Sequence, residues 1–204
     1  MGVGHSKESH KETRRKQKMN AEDYHHKDEK INQLNKFCSY IKGKYGDNEI
    51  LEVFAGQGNL TEYYKNISIN VTAMTKETFG DSFHAIYKLR ADRKKYDVID
   101  IDSYGYPDKF FPVIFEMMKE RCLLVFTFPI VGVNCLNGIT EQHFYTFYFQ
   151  KPTIGTVVGR ITDWALREWF LVSLLDVVKI KRIYRFVFDC RRVLATEMCN
   201  VRNR

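Results

Sequence analysis

The chain has 204 residues, 44% of them hydrophobic, which is enough to bury the core of one domain. A formal net charge of +7 favours a polyanionic partner. The five cysteines are odd in number and form no C-x-x-C pair, which argues against a disulfide framework or a zinc ribbon and favours a reducing, cytoplasmic location. The longest apolar run, residues 122–136, is too short to span a bilayer and is interrupted by Pro129 and Gly132, so we expect no membrane segment.

The first 27 residues are polar and charged, and they predict a basic tail without stable structure, followed by one domain over residues 28–204. The spacing of the four histidines in the tail matches no zinc ligand set, so we predict no metal site. After the tail, five residues recur at helical spacing before Gly43 or Gly46 can end the helix: Ile31, Leu34, Phe37, Cys38 and Ile41.

Strand and helix patterns then alternate along the chain. Strands are predicted over 49–54, 69–74, 97–102 and 122–128, and helices over 60–67, 81–96, 107–121 and 161–177, with one or two final strands over 178–193. This order predicts an α/β fold with a mostly parallel, twisted sheet and helices on both faces. Ligands of such sheets bind beyond the carboxyl ends of the strands.

A glycine turn, "EVFAGQGN", directly follows the first strand. Gly56 and Gly58 allow a tight turn and a close approach of the backbone to a ligand. A dinucleotide site would carry a third glycine near Thr61, and a phosphate-binding P-loop would carry G-K-[ST], and neither is present.

The turn resembles motif I of the class I S-adenosylmethionine-dependent methyltransferases, a Rossmann-like fold. The resemblance implies that S-adenosylmethionine is the cofactor and that Glu52 helps to hold its ammonium group. The other cofactor-binding residues implied by the loop are Phe54, Gly56, Gly58 and Asn59.

The second strand departs from this family, because it ends in Met74 and Thr75 where an acid would hold the ribose hydroxyls. Thr75 and Glu77 are the candidates for that contact. Asp81 and Ser82 match the place where the family holds the adenine amino group, although Gly-Asp-Ser before a helix is also an ordinary N-cap.

The third motif is "DVIDIDSYGYP". Asp100 and Asp102 alternate with isoleucines, so both lie on one face of a strand. Because two buried like charges are costly, we expect Asp102 to emerge at the strand end. There its carboxylate, the Ser103 carbonyl and the Tyr104 ring could accept the protons of a nucleobase amino group and stack on the base.

This segment resembles the D-P-[FY]-G-S-P signature of the tRNA guanine N2-dimethyltransferases at Asp102, Tyr104, Gly105 and Pro107, and departs from it at Ser103 and Tyr106. A helix of that family resembles this chain at Ala165, Leu166 and Arg167. The resemblance implies N-methylation of a nucleobase amino group, with RNA guanine ahead of DNA adenine. Two alternatives stay open: methylation of a protein or small molecule, and an inactive nucleic-acid-binding protein with this fold, which Ser103 and Thr75 favour.

Basic residues are concentrated near the end of the chain, where eight Lys or Arg and two acidic residues lie between 179 and 204. A phosphate-binding stripe and an ordinary solvated face both fit this pattern. The candidates for nucleic-acid contact are Lys179, Lys181, Arg182, Arg185, Arg191 and Arg192. The aromatic run 143–149 fits either base stacking or a core strand. The oligomeric state is not predicted.

Overall fold

The computed structural model describes residues 26–44, 46–56, 58–103, 107–128, 153–181 and 183–193. The chain divides into two compact units, Met1–Lys36 and Phe37–Arg204. In the first, residues 26–35 form helix α1. Most of the predicted tail, Tyr104, Arg182 and the aromatic run 143–149 lie outside the described residues. No helix in the described ranges is long and apolar enough to cross a membrane.

A six-stranded sheet with the order β2-β1-β3-β4-β6-β5 organises the second unit. Its strands are β1 (Glu49–Val53), β2 (Asn70–Met74), β3 (Tyr96–Ile101), β4 (Met118–Phe128), β5 (Phe170–Ile180) and β6 (Ile183–Arg192). Strands β1 to β4 pair in parallel, whereas β6 is antiparallel to both β4 and β5. The predicted α/β fold with a mostly parallel sheet is confirmed, and the last two strands form a hairpin.

Helices precede β1 and lie between the successive strands from β1 to β5. They are α2 (Cys38–Lys42), α3 (Asn59–Lys65), α4 (Lys76–Phe79), α5 (Ser82–Ala91), α6 (Phe111–Met117) and α7 (Ile154–Arg167), with a 3₁₀ turn over Asp108–Phe110. The helical pattern predicted across Ile31 to Ile41 is divided by a turn at residues 36–37, and Gly43 ends α2 with a φ of 68°. Cys38, Cys122 and Cys190 are free thiols.

The two faces of the sheet differ in chemistry because side chains alternate along each strand. Leu51, Ile99, Leu124, Phe126 and Phe188 belong to one hydrophobic core, together with residues of α5, α6 and α7. The side chains that alternate with these along each strand point to the opposite face of the sheet. On that face, Glu52 and Asp100 contact residues of α3. One face is therefore an apolar and aromatic core, and the other carries buried polar groups.

Three helix predictions are wrong in their bounds. The helix predicted over 81–96 ends at Ala91, and Tyr96 already belongs to β3. The helix predicted over 107–121 ends at Met117, because residues from Met118 already pair as β4. The helix predicted over 161–177 is instead α7, which begins after the Thr153 capping box and ends at Arg167. Trp169 has a φ of 63°, and the chain continues as β5. Pairing with β6 satisfies the backbone there, and this tertiary effect is not visible in the apolar spacing.

Candidate functional site

The carboxyl ends of β1, β2 and β3 bring the predicted motifs together. Val53 is in register with Met74 on one side and with Ile101 on the other. The next residues continue this connection: the amide of Ala55 donates to the Met74 carbonyl at 3.0 Å, and the amide of Asp102 donates to the Val53 carbonyl at 3.3 Å. The glycine turn, Thr75 and Asp102 therefore share one edge of the sheet.

The glycine turn has a backbone that glycine favours. Gly56 has a φ of 54°, and Gly58, the N-cap of α3, has a φ of 81°. Both lie in the left-handed region, where a side chain would add strain. Phe54 also lies there, with a φ of 67°, and its ring contacts that of Phe110 at a centroid distance of 5.3 Å. A bulky residue in this region is strained, and such strain is concentrated at functional sites.

Glu52 lies beneath this turn and is only 1% exposed. The hydroxyl of Thr61, in the first turn of α3, donates to its Oε2 at 2.5 Å. Burial raises the pKa of Glu52 to about 7; the Thr61 hydrogen bond lowers it, whereas the charges of Asp100 and Asp102 raise it further. A carboxylate in this position would gain from a cationic ligand.

The residues predicted to contact ribose and adenine surround the start of α4 and α5. The hydroxyl of Thr75 accepts from the Thr78 amide at 3.1 Å, so it stabilises the start of α4, on which Glu77 is exposed. Asp81 is the N-cap of α5 and accepts from the Phe83 amide at 2.7 Å, which lowers the pKa of Asp81. The N-cap interpretation of Asp81 is thus confirmed, while its contact with adenine stays a prediction. Ser82 begins α5, and its side chain lies outside what the structure describes.

Asp100 and Asp102 lie on the polar face, as predicted, and differ in exposure. The Asp100 side chain is 0% exposed, and that of Asp102, just past the strand end, is 18% exposed. The Tyr64 hydroxyl donates to Asp100 Oδ2 at 2.6 Å. The Thr127 hydroxyl, on β4, donates to Asp102 Oδ1 at 2.7 Å. Ser103 is buried, and Tyr104 lies outside the described residues.

Arg185 connects the two aspartates, so the prediction that Arg185 contacts phosphate is wrong. Its side chain is 0% exposed, and its guanidinium forms an ion pair with Asp100 Oδ2 and lies 3.7 Å from Asp102 Oδ1. It also donates to the Thr127 hydroxyl at 3.3 Å. Burial alone lowers the pKa of Arg185, but the carboxylates of Asp100 and Asp102 raise it more, so the guanidinium stays charged.

The charges at this edge are not balanced. Glu52, Asp100 and Asp102 interact with one another and with Arg185, which gives three carboxyl groups and one guanidinium among the described side chains. Burial also raises the pKa of Asp100, against the effect of Arg185. The excess of acidic groups makes this edge of the sheet suited to a ligand with positive charge.

The predicted basic stripe is divided between opposite ends of the sheet. Lys179 is in register with Tyr184 near the turn of the hairpin, and Tyr184 is in register with Phe128 at the carboxyl end of β4. Arg191 is in register with Arg121 at the amino end of β4. Because Tyr184 and Arg191 are seven residues apart on β6, about 24 Å of strand separates the two groups. Of the described members of the stripe, Lys179 and Lys181 lie at the same end of the sheet as the candidate site, and both are exposed.

A second basic surface lies at the amino end of β3. A groove of about 660 Å³ is lined by Tyr87, Arg90, Ala91, Arg93, Lys94, Lys95, Glu116 and Met117. Arg90 forms an ion pair with Glu116 at 2.6 Å. This groove is distant from the glycine turn, because the groove lies at the amino end of β3 and the turn lies at the carboxyl end of the neighbouring strand β1.

The sequence interpretation missed three residues of the site, Thr61, Tyr64 and Thr127, and assigned a fourth, Arg185, to a different role. Thr61 and Tyr64 are three residues apart on α3 and so share a face, which was a usable signal. Thr127 stands in the otherwise apolar run 122–128, a second signal. Arg185 offered none, since arginine is rarely buried.

Comparisons with known proteins support the architecture. No family model and no curated protein matches the sequence. Among solved structures, the chain is similar to Trm1 from Pyrococcus horikoshii in complex with S-adenosyl-L-methionine, with a TM-score of 0.60, 14% identity, and coverage of 82% of this chain and 56% of that chain.

Two further structures are similar. One is a protein from Streptococcus mutans assigned as a SAM-dependent methyltransferase, with a TM-score of 0.53, 11% identity, and coverage of 76% of this chain and 48% of that chain. The other is SMU.776, assigned as a methyltransferase and complexed with SAH, with a TM-score of 0.51, 11% identity, and coverage of 76% and 49%. The chain spans about half the length of these proteins. The chain therefore has the Rossmann-like fold of the class I S-adenosylmethionine-dependent methyltransferases.

Proposed function

We propose that this protein is an S-adenosylmethionine-dependent N-methyltransferase that acts on an exocyclic amino group of a nucleobase. The observation that carries the proposal is the carboxyl edge of β1 and β3, where a buried acid, Glu52, and a partly exposed acid, Asp102, lie beside the start of the glycine turn. One acid is suited to the cofactor and the other to the acceptor.

The residues of the edge fit the cofactor in charge and shape. S-adenosylmethionine supplies an electrophilic methyl group on a sulfonium and carries an ammonium group. Glu52, held by Thr61, would accept from that ammonium group, and the positive charge would offset the excess of acidic groups. The backbone of Gly56 and Gly58 would lie along the methionine part, and Phe54 and Phe110 provide an apolar wall beside it. Thr75, Glu77, Asp81 and Ser82 remain the candidates for ribose and adenine.

The acceptor side would work by positioning. Asp102 and the Ser103 carbonyl would accept the two N–H protons of the amino group, which orients the nitrogen lone pair towards the methyl carbon. S-adenosylmethionine would supply the methyl group and keep the electron pair of its S–C bond as the amino nitrogen bonds to the methyl carbon, and the Asp102 carboxylate or solvent would take the proton that the nitrogen releases. Tyr104 would stack on the base.

A nucleic acid is the substrate class that the residues favour. The D-S-Y-G-Y-P segment resembles the signature of guanine N2-dimethyltransferases, which places RNA guanine ahead of DNA adenine. Lys179 and Lys181 lie at the same end of the sheet as Asp102 and could contact phosphates beside the target nucleotide.

Two measurements test the proposal in sequence. Isothermal titration calorimetry with S-adenosylmethionine should give saturable binding. Absence of binding at high micromolar concentration would rule out the proposed enzyme activity. Transfer of a radiolabelled methyl group to tRNA, duplex DNA and protein should then label tRNA most, and mapping of the modified base should give an N-methylated guanine. Label on DNA adenine or on protein would instead select one of the other acceptors.

One observation favours a second candidate, an inactive nucleic-acid-binding protein with the same fold. Ser103 stands where the related signature has a proline, so the strand end lacks the restriction on φ that proline imposes. This candidate predicts RNA binding without methyl transfer to any of the three acceptors.

A further inference from the structure

Arg185 is fully buried near the candidate site, as is its partner Asp100. It lies on β6, opposite Thr127 of β4, and its guanidinium reaches across β4 to the two aspartates of β3. Burying a guanidinium costs several kcal/mol, and replacing a buried ion pair with apolar side chains is often neutral or stabilising. Its retention here is therefore poorly explained by stability alone.

The contacts of Arg185 restrict Asp102 in particular. The guanidinium donates to Thr127, and Thr127 donates to Asp102 Oδ1 at 2.7 Å, the same oxygen that lies 3.7 Å from the guanidinium. Asp100 holds the guanidinium from the other side and is itself fixed by Tyr64. The chain of contacts thus extends from α3 through β3 and β6 to β4, and ends at the carboxylate beyond the strand.

We infer that Arg185 is a positioning residue that holds the Asp102 carboxylate in its charged form and fixed orientation at the edge of the sheet. The inference rests on the proposed function for its effect on turnover. The inference also bears on Ser103, which stands where the related signature has a proline. A proline would stiffen the strand end, whereas here the contacts from β4 and β6 restrict Asp102.

A pair of substitutions separates positioning from folding. Arg185→Met alone would leave Asp100 buried without its counter-charge, and we expect this variant to unfold at markedly lower denaturant concentration. Arg185→Met combined with Asp100→Asn removes both charges, keeps an acceptor for Tyr64 and should restore much of the stability. Arg121→Met is the matched control, because Arg121 pairs with Asp189 on the surface at the other end of β4 and β6.

Turnover is the first measurement on the double variant. With S-adenosylmethionine and the best acceptor, its kcat should fall about 100-fold, the loss expected for a displaced reacting group, while the Kd for the cofactor changes less than about threefold. Arg121→Met should match the wild-type protein in both. A kcat of the double variant within about twofold of the wild type would overturn the inference.

A second measurement does not depend on activity. Asp102 faces one cation, Arg185, and two acids, Asp100 and Glu52. Loss of the cation should move the titration of Asp102 to higher pH. Asp100→Asn acts in the opposite direction, because it removes a negative charge. Carbon-13 NMR of the carboxyl groups, with Asp102 identified through Asp102→Asn, should show a higher titration midpoint for Asp102 in the double variant than in Asp100→Asn alone, because these two proteins differ only in the cation. An unmoved midpoint would overturn the inference. If the wild-type protein transfers no methyl group, the proposed function fails, and this midpoint alone decides the role of Arg185.

Discussion

The two ends of the parallel strands differ in how their charges are placed. At the amino end, acids and bases pair at the surface: Lys119 with Asp97 at 2.6 Å, Arg121 with Asp189 at 3.0 Å, and Arg90 with Glu116 at 2.6 Å. At the carboxyl end, Glu52 and Asp100 are buried and share one guanidinium with Asp102. Exposed pairs contribute little free energy, whereas buried unbalanced charge is costly.

The comparison indicates that the carboxyl end of the sheet holds an arrangement of charges that lowers the stability of the folded protein. Glu52 and Asp100 are register partners on neighbouring strands, an arrangement in which like charges destabilise a sheet. A ligand that brings positive charge would remove part of that cost, so binding should stabilise the carboxyl end and leave the amino end unaffected. Five experiments test this difference, beginning with the largest expected effect.

Replacing Asp102 with Ala should lower methyl transfer about 10³-fold, because the acceptor amino group loses the group that orients it. Cofactor affinity should stay within about threefold of the wild type. Single-turnover transfer of labelled methyl groups, together with calorimetry, measures both quantities. A fully active Asp102→Ala variant would show that the acceptor site has been placed wrongly.

Replacing Glu52 with Gln should weaken cofactor binding at pH 8 about 10- to 100-fold, since a buried charge-assisted contact is lost. In the wild type, the pKa of about 7 means that Glu52 must release a proton before it pairs with an ammonium group. Affinity should therefore fall about tenfold per pH unit below pH 7 and be constant above it. Glu62→Gln, exposed on α3, is the control and should keep this dependence. A wild-type Kd that is constant from pH 5 to 8 would contradict the role of Glu52.

Glu52 should also affect the stability of the ligand-free protein. Its pKa is raised on folding, so its contribution is fully present below pH 4.5, the ordinary value, and is lost as pH rises through about 7. The loss amounts to about 3 kcal/mol. Urea unfolding at pH 5 and pH 8 should show this decrease in the wild type and not in Glu52→Gln, and added cofactor should reduce it.

Charge reversal at either end of the sheet should affect nucleic-acid binding unequally. Lys179→Glu with Lys181→Glu, near the carboxyl end, should weaken RNA binding about tenfold and reduce the slope of log K against log salt by about two. Arg93→Glu with Lys94→Glu changes the net charge equally at the amino end and should have less than about a threefold effect. Fluorescence anisotropy at several salt concentrations measures both, and equal losses would mean that RNA binds through net charge alone.

The smallest effect is expected for Ser103→Ala. Its carbonyl is the proposed acceptor, and the substitution retains it, so transfer should change less than about threefold, with stability lowered by about 1 kcal/mol for the buried hydroxyl. Transfer kinetics and urea unfolding check this. A large loss of transfer in a stably folded variant would assign the chemistry to the hydroxyl.

Sequence alone determined the alternation of the first four strands with helices along the chain, and the position of the glycine turn and of the Asp100 segment after their strands. Glycines at 56 and 58 predicted the turn, because few other residues adopt its backbone, and the period of two predicted that Asp100 and Asp102 share a face. The resemblance to methyltransferases carried the assignment of Glu52 to a cofactor site. These features depend on local backbone geometry, which neighbouring residues specify.

Tertiary structure decided the rest. The segment 170–177 carries apolar residues at spacings that suit a helix, yet pairing with β6 makes it a strand. The predicted basic stripe is not continuous, because its members lie towards opposite ends of the 10-residue strand β6 and its neighbour β5. Arg185 was predicted to lie on the surface, because an arginine is buried only when partners are supplied from elsewhere in the chain. Here they come from residues 85 and 58 positions away, Asp100 and Thr127, which are brought together only when β6 inserts beside β4.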